Sequence, residues 1–439
     1  MHSRVYIRHV MILAGMLVVV PIVKMDRVQA QSRAPGSALD QAIEKLEPSQ
    51  PPAARPDLAS RRVGGATLRL IDLSVDLLVA AGGSTENDAE IERLQGGGHD
   101  PRKNGFTLQA LELSLTGAVD PYFTGEAHVV LFIDSEGETR IELEEAFLTT
   151  QSLPFGLQVE AGFFFTEFGL INPTHPHAWD WVDQPVILSR LFGEDGLRQA
   201  GFRVGWLVPL PWFSQFHFGM QNANGETAVS FLANDEVFEE RPIGGLPFGD
   251  RGVDGPEDLL YLLRWVNSWD PSPTVTGKLG LSALFGPNAT GPDGRTRIFG
   301  ADLKVTWRPE RHFRGWPFVR WQSEFLYRYY DADDADSLRD WGLYTQILYG
   351  FAYRWAAGLR VEYATGSGDS VDGRAADHFR DDRYRISPLL AWYVSEFARI
   401  RLQYNLDDAD HLNGDGDGNA HSIWLVVEGL FGAHPAHTY

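Results

Sequence analysis

Leu111-Glu112-Leu113-Ser114-Leu115-Thr116 puts leucine at every odd position and a polar residue at every even one. Successive side chains of a β-strand point to opposite faces, so this segment has one apolar face and one wet face. Ala398-Arg399-Ile400-Arg401-Leu402-Gln403-Tyr404-Asn405 repeats the pattern with charge on the wet face. The alternation returns from Ala66 to the end of the chain, in short segments separated by turns and loops. A soluble sandwich could use such segments. A secretory start and aromatic strand ends favour an all-β, transmembrane antiparallel β-barrel of porin-like build, with lipid outside and water inside.

Arg4, Arg8 and His9 precede an apolar run from Val10 to Val23, and Val28-Gln29-Ala30 supplies a small-residue cleavage site. Residues 1–30 therefore read as a signal peptide. Residues 31–65, rich in Pro, Ala, Ser and Arg, read as a flexible periplasmic lead-in. Its one helix-like stretch, Ser37 to Leu46, is too short to hold a coiled coil alone. No later stretch is apolar and long enough for a helical span, so any embedding must come from strands. The chain has no cysteine and is not built on disulfides. A net charge of −21 excludes a general nucleic-acid binder. No nucleophile elbow, P-loop or H-E-x-x-H occurs, and the expectation is a protein that is not an enzyme.

Residues 66–439 read as a barrel of sixteen strands, beginning with 66–80 and including 139–150, 156–165, 341–355, 358–366 and 397–405. Short connections at Val119-Asp120-Pro121, Ser152-Leu153-Pro154, Ala356-Ala357 and Glu396 alternate with long ones at 81–105, 166–198, 223–257, 367–382 and 406–419. Turns on one side and loops on the other are the habit of outer-membrane barrels, and an even count returns both ends to the periplasm. Trp206, Trp212, Trp307, Trp321, Tyr349, Tyr353 and Trp355 stand near strand ends on the outward parity, as an interfacial girdle does. Tyr439 is an aromatic C-terminus of the kind common on last strands. The expected location is the outer membrane of a Gram-negative bacterium, against lipid and lipopolysaccharide.

The inward parity lists two walls. Glu112, Glu126, Glu142, Glu144 and Glu160, with Asp72, Asp76 and His128, make one acidic. Lys304, Arg320, Arg328, Arg360, Arg399 and Arg401, with Arg203, Lys278 and Arg308, make the other mainly basic. Opposed charge across a low-dielectric tube sets up a transverse field that orients polar solutes. The competing reading is a set of ion pairs that closes a narrow barrel. Loop 166–198 carries Trp179, Asp180, Trp181 and Asp183 and is too apolar to lie in solvent, so it should fold inward and narrow the lumen.

The stretch Glu144-Glu145-Ala146-Phe147-Leu148-Thr149-Thr150, this loop, and the ending Gly432-Ala433-His434-Pro435-Ala436-His437 resemble a group of Gram-negative barrels related to the phosphate-selective porin O and P family. Its members are often labelled zinc-regulated TonB-dependent outer-membrane receptors. The resemblance implies a sixteen-strand homotrimeric channel for anions or small hydrophilic solutes. The chain departs from the pattern after Gly162, where Phe163, Phe164 and Phe165 replace an expected basic residue.

His175 and His177, near Asp180 and Asp183, are candidate metal ligands, since imidazole with carboxylate suits zinc. His434 and His437 invite the same thought. Asn413-Gly414-Asp415-Gly416-Asp417-Gly418 opens like a calcium loop, but Trp424 stands where the bidentate glutamate belongs. A looser calcium contact there would draw on Asp407, Asp408 and Asp410. No other cofactor is expected. The function these readings support is passive diffusion of small hydrophilic solutes, with arginine favouring anions. The alternatives are a metal-uptake or substrate-specific channel using the histidine loop, and a closed structural barrel.

Overall fold

A strand with one apolar and one polar face needs a partner medium for each, and here the sheet closes on itself to separate them. The computed structural model describes residues 60–63, 66–69, 71–134, 136–240, 242–368, 370, 377–414 and 418–432. The signal segment 1–30, nearly all of the lead-in, the ending with His434, His437 and Tyr439, and Asp415 to Asp417 lie outside the described residues. A two-stranded hairpin pairs Ser60–Val63 with Ala66–Arg69. The barrel then follows as β1 (Asp72–Ser84), β2 (Gly105–Ala118), β3 (Phe123–Ile133), β4 (Thr139–Thr150), β5 (Leu157–Phe165), β6 (Arg198–Leu207), β7 (Phe213–Asn222) and β8 (Leu259–Ser272). It continues as β9 (Val275–Pro287), β10 (Arg295–Trp307), β11 (Phe318–Asp331), β12 (Leu338–Ala352), β13 (Trp355–Ser367), β14 (Arg383–Ser395), β15 (Ala398–Ala409) and β16 (Asn419–Gly432). Each strand pairs antiparallel with its sequence neighbours, and β16 pairs with β1, so no edge is left open. Short helices occur in the connections, among them α1 (Asp88–Leu94), α2 (Val186–Phe192) and α3 (Asp235–Glu240).

The expected sixteen strands are all present, with three shifts. The first expected strand, 66–80, is divided between the hairpin and β1. The expected turn at Ala356-Ala357 lies instead at Tyr353-Arg354, where Arg354 takes a φ of 67°. Ala352 pairs with Trp355 across it, so both alanines belong to β13. Third, strands on the loop side outrun their apolar pattern, and Asp407 and Asp408 sit in β15 rather than in an external loop.

Outward positions are apolar along the whole circuit: Leu281, Phe325, Leu359, Leu402 and Leu425 are all exposed. Trp206, Trp212, Trp269, Trp307, Tyr349, Tyr353 and Trp355 gather at the short-turn end, exposed in the same way. An apolar outer belt with an aromatic rim is what a hydrocarbon layer bounded by headgroups selects.

Inside, the strands are not uniformly polar. Leu260, Leu262, Leu284, Ile298 and Leu326 face inward at 1 % exposure or less. They enclose Phe168, Ile171, Val186, Ile187, Leu188, Leu191 and Phe192 of segment 166–197 in one apolar cluster, with Phe231 and Leu232 of the next long loop. Burying a leucine, isoleucine or phenylalanine side chain is worth about 1.5–3 kcal/mol, so the inserted segment is held by a core of its own. Two wall glycines admit it. A Cβ at Gly342 would meet Ile187 Cβ at 2.7 Å, and one at Gly358 would meet the Trp181 ring at 2.8 Å.

Two irregularities in the sheet matter for the site. Opposite β3, His128 pairs with Glu145 and Val129 with Leu143, leaving Glu144 as the extra residue of a bulge. A bulge lets two consecutive side chains turn to one face, so Glu144 and Glu145 both reach the interior. Gln109 is the extra residue of a similar bulge between β1 and β2, and its side chain donates to His99 O at 2.6 Å.

Candidate functional site

The segment 166–197 lies inside the barrel, held by arginines of the wall. Arg320 holds both carboxylate oxygens of Asp180, at 2.8 and 3.0 Å. Arg360 donates to Asp183 O at 2.9 Å and also contacts its carboxylate. Arg399 donates to His177 O at 2.9 Å, and Arg401 to Trp179 O at 3.0 Å and Trp181 O at 2.9 Å. Arg328 joins Asp340 at 2.7 Å and Ser230 Oγ at 2.8 Å, tying in the loop after β7. Lys304, half-buried, stands opposite Lys278 on the neighbouring strand. Arg360, Arg328 and Arg401 are exposed by 1 % or less, so in this arrangement they meet the loop and not open water.

Wall carboxylates complete the grip. Glu324 accepts the backbone N–H of Ile171 at 3.0 Å and that of Leu170, and Glu362 accepts Val186 N–H at 2.7 Å where α2 begins. An acidic partner at a helix N-terminus satisfies a donor that the helix leaves unpaired. Asp183 is the hub. Gln403 and Asn405 each donate to it at 2.8 Å, Arg385 at 3.2 Å and Gln95 at 3.3 Å, besides Arg360. Burial opposes its charge, yet Arg360 and Arg385 prevail and hold its carboxyl below the usual carboxylate range.

The acidic wall meets the histidines. His175 Nδ1 lies 2.9 Å from Glu144 Oε2 and 3.5 Å from Glu112 Oε1, while its Nε2 lies 2.9 Å from Glu145 Oε2. His177 Nδ1 lies 2.9 Å from Glu112 Oε2 and 3.2 Å from Asp76 Oδ2. His128 Nδ1 stands 3.0 Å from Glu112 Oε1. The His175 and His177 rings stack at 5.6 Å, and those of His128 and His175 lie 4.5 Å apart. Burial disfavours a charged His175, but Glu112 and Glu144 outweigh it and raise its pKa well above the ordinary imidazole value.

Not every expected wall residue joins this cluster. Glu126 is only 3.9 Å from His128 Nε2 at its nearest and is partly exposed. Glu142 pairs with Arg198, and Glu160 with Arg203 at 2.9 Å. Asp180 and Asp183, read as companions of the loop histidines, serve the arginines instead. Several residues that parity could have supplied were not singled out. Arg383 and Arg385 alternate inward and both hold Asp407, at 2.7 and 2.8 Å. Glu428 receives Arg399 at 2.6 Å and Arg401 at 2.8 Å. The loop between β1 and β2 also folds inward, since Leu94 O accepts from Arg383 and Arg385 and Gln184 N–H donates to Asp100 at 2.9 Å.

No family model matches the chain. A protein of Aquifex aeolicus (strain VF5) described only as uncharacterized is 29% identical over 404 residues, which is 84% of this chain and 80% of that one. Among solved structures, Pseudomonas putida OprB covers 82% of this chain and 94% of its own at 13% identity, with a TM-score of 0.49. The outer membrane channel DcaP of Acinetobacter baumannii covers 82% and 97% at 10% identity, TM-score 0.49. Outer-membrane expressed OmpT of Vibrio cholerae covers 85% and 100% at 7% identity, TM-score 0.48. By its own geometry, a sixteen-strand wall closed without an edge and belted by apolar and aromatic side chains, the chain is an outer-membrane β-barrel.

Proposed function

We propose that the protein is an outer-membrane channel for small hydrophilic solutes whose passage is restricted by the inserted segment 166–197. The observation that supports this most is how the segment is held. Its polar groups are fastened to side chains of the wall, by Arg320, Arg360, Arg399 and Arg401 on one kind of contact and Glu324 and Glu362 on the other. A barrel that served only as a structural shell would gain as much from an apolar interior, because buried ion pairs add little to stability over well-packed hydrophobic residues. Polar fastening suits a segment that has to define a narrow path or shift within it. Lys278 and Lys304, side by side and half-buried on the wall, are basic groups placed to meet a solute. They make small anions the favoured class in this reading, and a homotrimer is its assembly.

The test is single-channel conductance of the refolded barrel in a planar bilayer, with reversal potential under a salt gradient. A second barrel would have residues 174–183 replaced by a short Gly-Ser link. Small anion-preferring steps that grow several-fold in the shortened barrel are expected. Silence from both folded barrels would refute the channel. Chemical cross-linking in detergent reads the assembly, with a three-chain species expected.

A further inference from the structure

The geometry points to a zinc-class divalent cation site inside the barrel, formed by Glu112 of β2, His128 of β3 and His175 of the inserted segment. One donor atom from each of these three lies within 4.8 Å of the others. Glu144, with its Oε2 2.9 Å from His175 Nδ1, stands beside them as a fourth donor. Two imidazole nitrogens, His128 Nδ1 at 3.0 Å and His175 Nδ1 at 3.5 Å, face the same oxygen of Glu112. Ser114 Oγ, 2.8 Å from that oxygen, already supplies it with a donor. A carboxylate oxygen can accept more than one hydrogen bond, and the same convergence of two imidazole nitrogens on one oxygen is also the arrangement that a shared cation calls for.

Three further observations support the site. His175 Nε2 lies 2.9 Å from Glu145, and metal-binding histidines characteristically give their other ring nitrogen to a carboxylate, which fixes ring and tautomer. The bulge at Glu144 brings that support and the fourth donor to the same face. Next to the site, Asp76 is 2 % exposed, and among the described residues neither of its carboxylate oxygens has a hydrogen-bond partner. Its Oδ2 lies 3.2 Å from His177 Nδ1, which in turn reaches the second oxygen of Glu112. Asp76, Glu112, Glu144 and Glu145 thus bring four carboxylates together with little water to solvate them. Buried anions call for nearby positive charge. Two nitrogens with carboxylate oxygens suit zinc and its neighbours, whereas calcium and magnesium favour all-oxygen sites. Because the ligands come from three wall strands and the inserted segment, a bound ion would also fasten that segment to the acidic wall.

The full-length refolded barrel, incubated with zinc chloride and dialysed, should retain about one zinc per chain by elemental analysis. X-ray absorption should show two imidazoles among nitrogen and oxygen ligands. Excess calcium should not displace the ion. The paired change His128→Gln with His175→Gln should weaken zinc binding roughly 100-fold or more in competition with a chelating dye. Zinc retained equally by this variant, an all-oxygen shell, displacement by calcium, or no zinc on a folded barrel would each overturn the site. Folding of the variant is read from heat-modifiable gel mobility. If it fails to fold, the absorption spectrum of the unaltered protein decides alone. Zinc binding and conductance are separate readouts, so the site and the channel can fail independently.

Discussion

Replacing Asp183 by asparagine removes one negative charge at the point where five donors converge on the inserted segment. Gln95, Arg360, Arg385, Gln403 and Asn405 all donate to this one carboxylate. An asparagine can accept through one oxygen only, and its amide group would point two hydrogens at the remaining donors. Breaking a buried ion pair by deleting one partner costs about 3–5 kcal/mol. The lower end applies here, because Arg360 keeps Glu362 at 2.7 Å and Arg385 keeps Asp407 at 2.8 Å. At about 1.4 kcal/mol per tenfold, a loss of about 3 kcal/mol multiplies the released form of the segment roughly 150-fold. Amide hydrogen exchange measures such local opening directly. The backbone N–H groups of Val182 and Val186 are the reporters, since they donate to Gln403 and Glu362. In Asp183→Asn their exchange should accelerate by about that factor while the strand amides keep their protection. Exchange at these amides within threefold of the unaltered protein would refute the view that Asp183 pins the segment.

Leu281, midway along β9 and 48 % exposed, should tolerate arginine badly if the outer face meets lipid. Unfolding from vesicles should show Leu281→Arg destabilised by about 2–4 kcal/mol, and an unchanged midpoint would remove the lipid belt. Gly358→Val should drive Trp181 from its seat, read as a shifted and quenched tryptophan emission with the barrel still heat-modifiable; an unaltered spectrum would mean the 2.8 Å approach is not kept in solution. On the loop side, His411 lies 2.7 Å from Asp381 and 2.8 Å from Glu90. Burial lowers its pKa, but these two hydrogen bonds outweigh it and raise the value above the ordinary 6.5. Asp381 also holds Arg190, Glu90 also holds Arg93, Arg383 opposes the histidine charge, and the His378 ring stands 6.0 Å away. A raised folded pKa means that this stabilisation is complete below about 6.5 and fades as pH rises through the folded value. The protection of amides in α1, relative to the free-peptide rate at each pH, should therefore fall above neutrality, and His411→Gln should flatten that profile; an equal slope in both proteins would exclude His411.

The wall could be read from the sequence because its rule is local. Each strand reports its own parity, so Leu111 to Thr116 and Ala398 to Asn405 suffice to set inside against outside without knowledge of their neighbours. What fills the wall obeys no local rule. The apolar loop 166–198 reads as one that folds inward, yet its seat is written in residues scattered over most of the barrel, from Glu112 on β2 to Arg401 on β15. Some of these break the expected pattern in plain view. Leu259-Leu260-Tyr261-Leu262-Leu263 is apolar on both parities, and a strand apolar on both faces is buried on both. Taken literally, that segment predicts an apolar occupant of the lumen, which Leu188 and its neighbours turn out to be. The histidine cluster was half legible for a different reason. His175, His177, Glu112 and Glu144 could each be nominated by residue type or parity, but strict alternation forbids Glu144 and Glu145 from facing inward together. Only the bulge against His128 allows it, and a bulge depends on register between two strands rather than on the composition of either. The same parity argument sets a limit on the arginine wall. It places Arg360 and Arg401 on the inner face but cannot tell a side chain that faces water from one that faces Asp183 or Glu428, because burial within a lumen is decided by the segment that enters it.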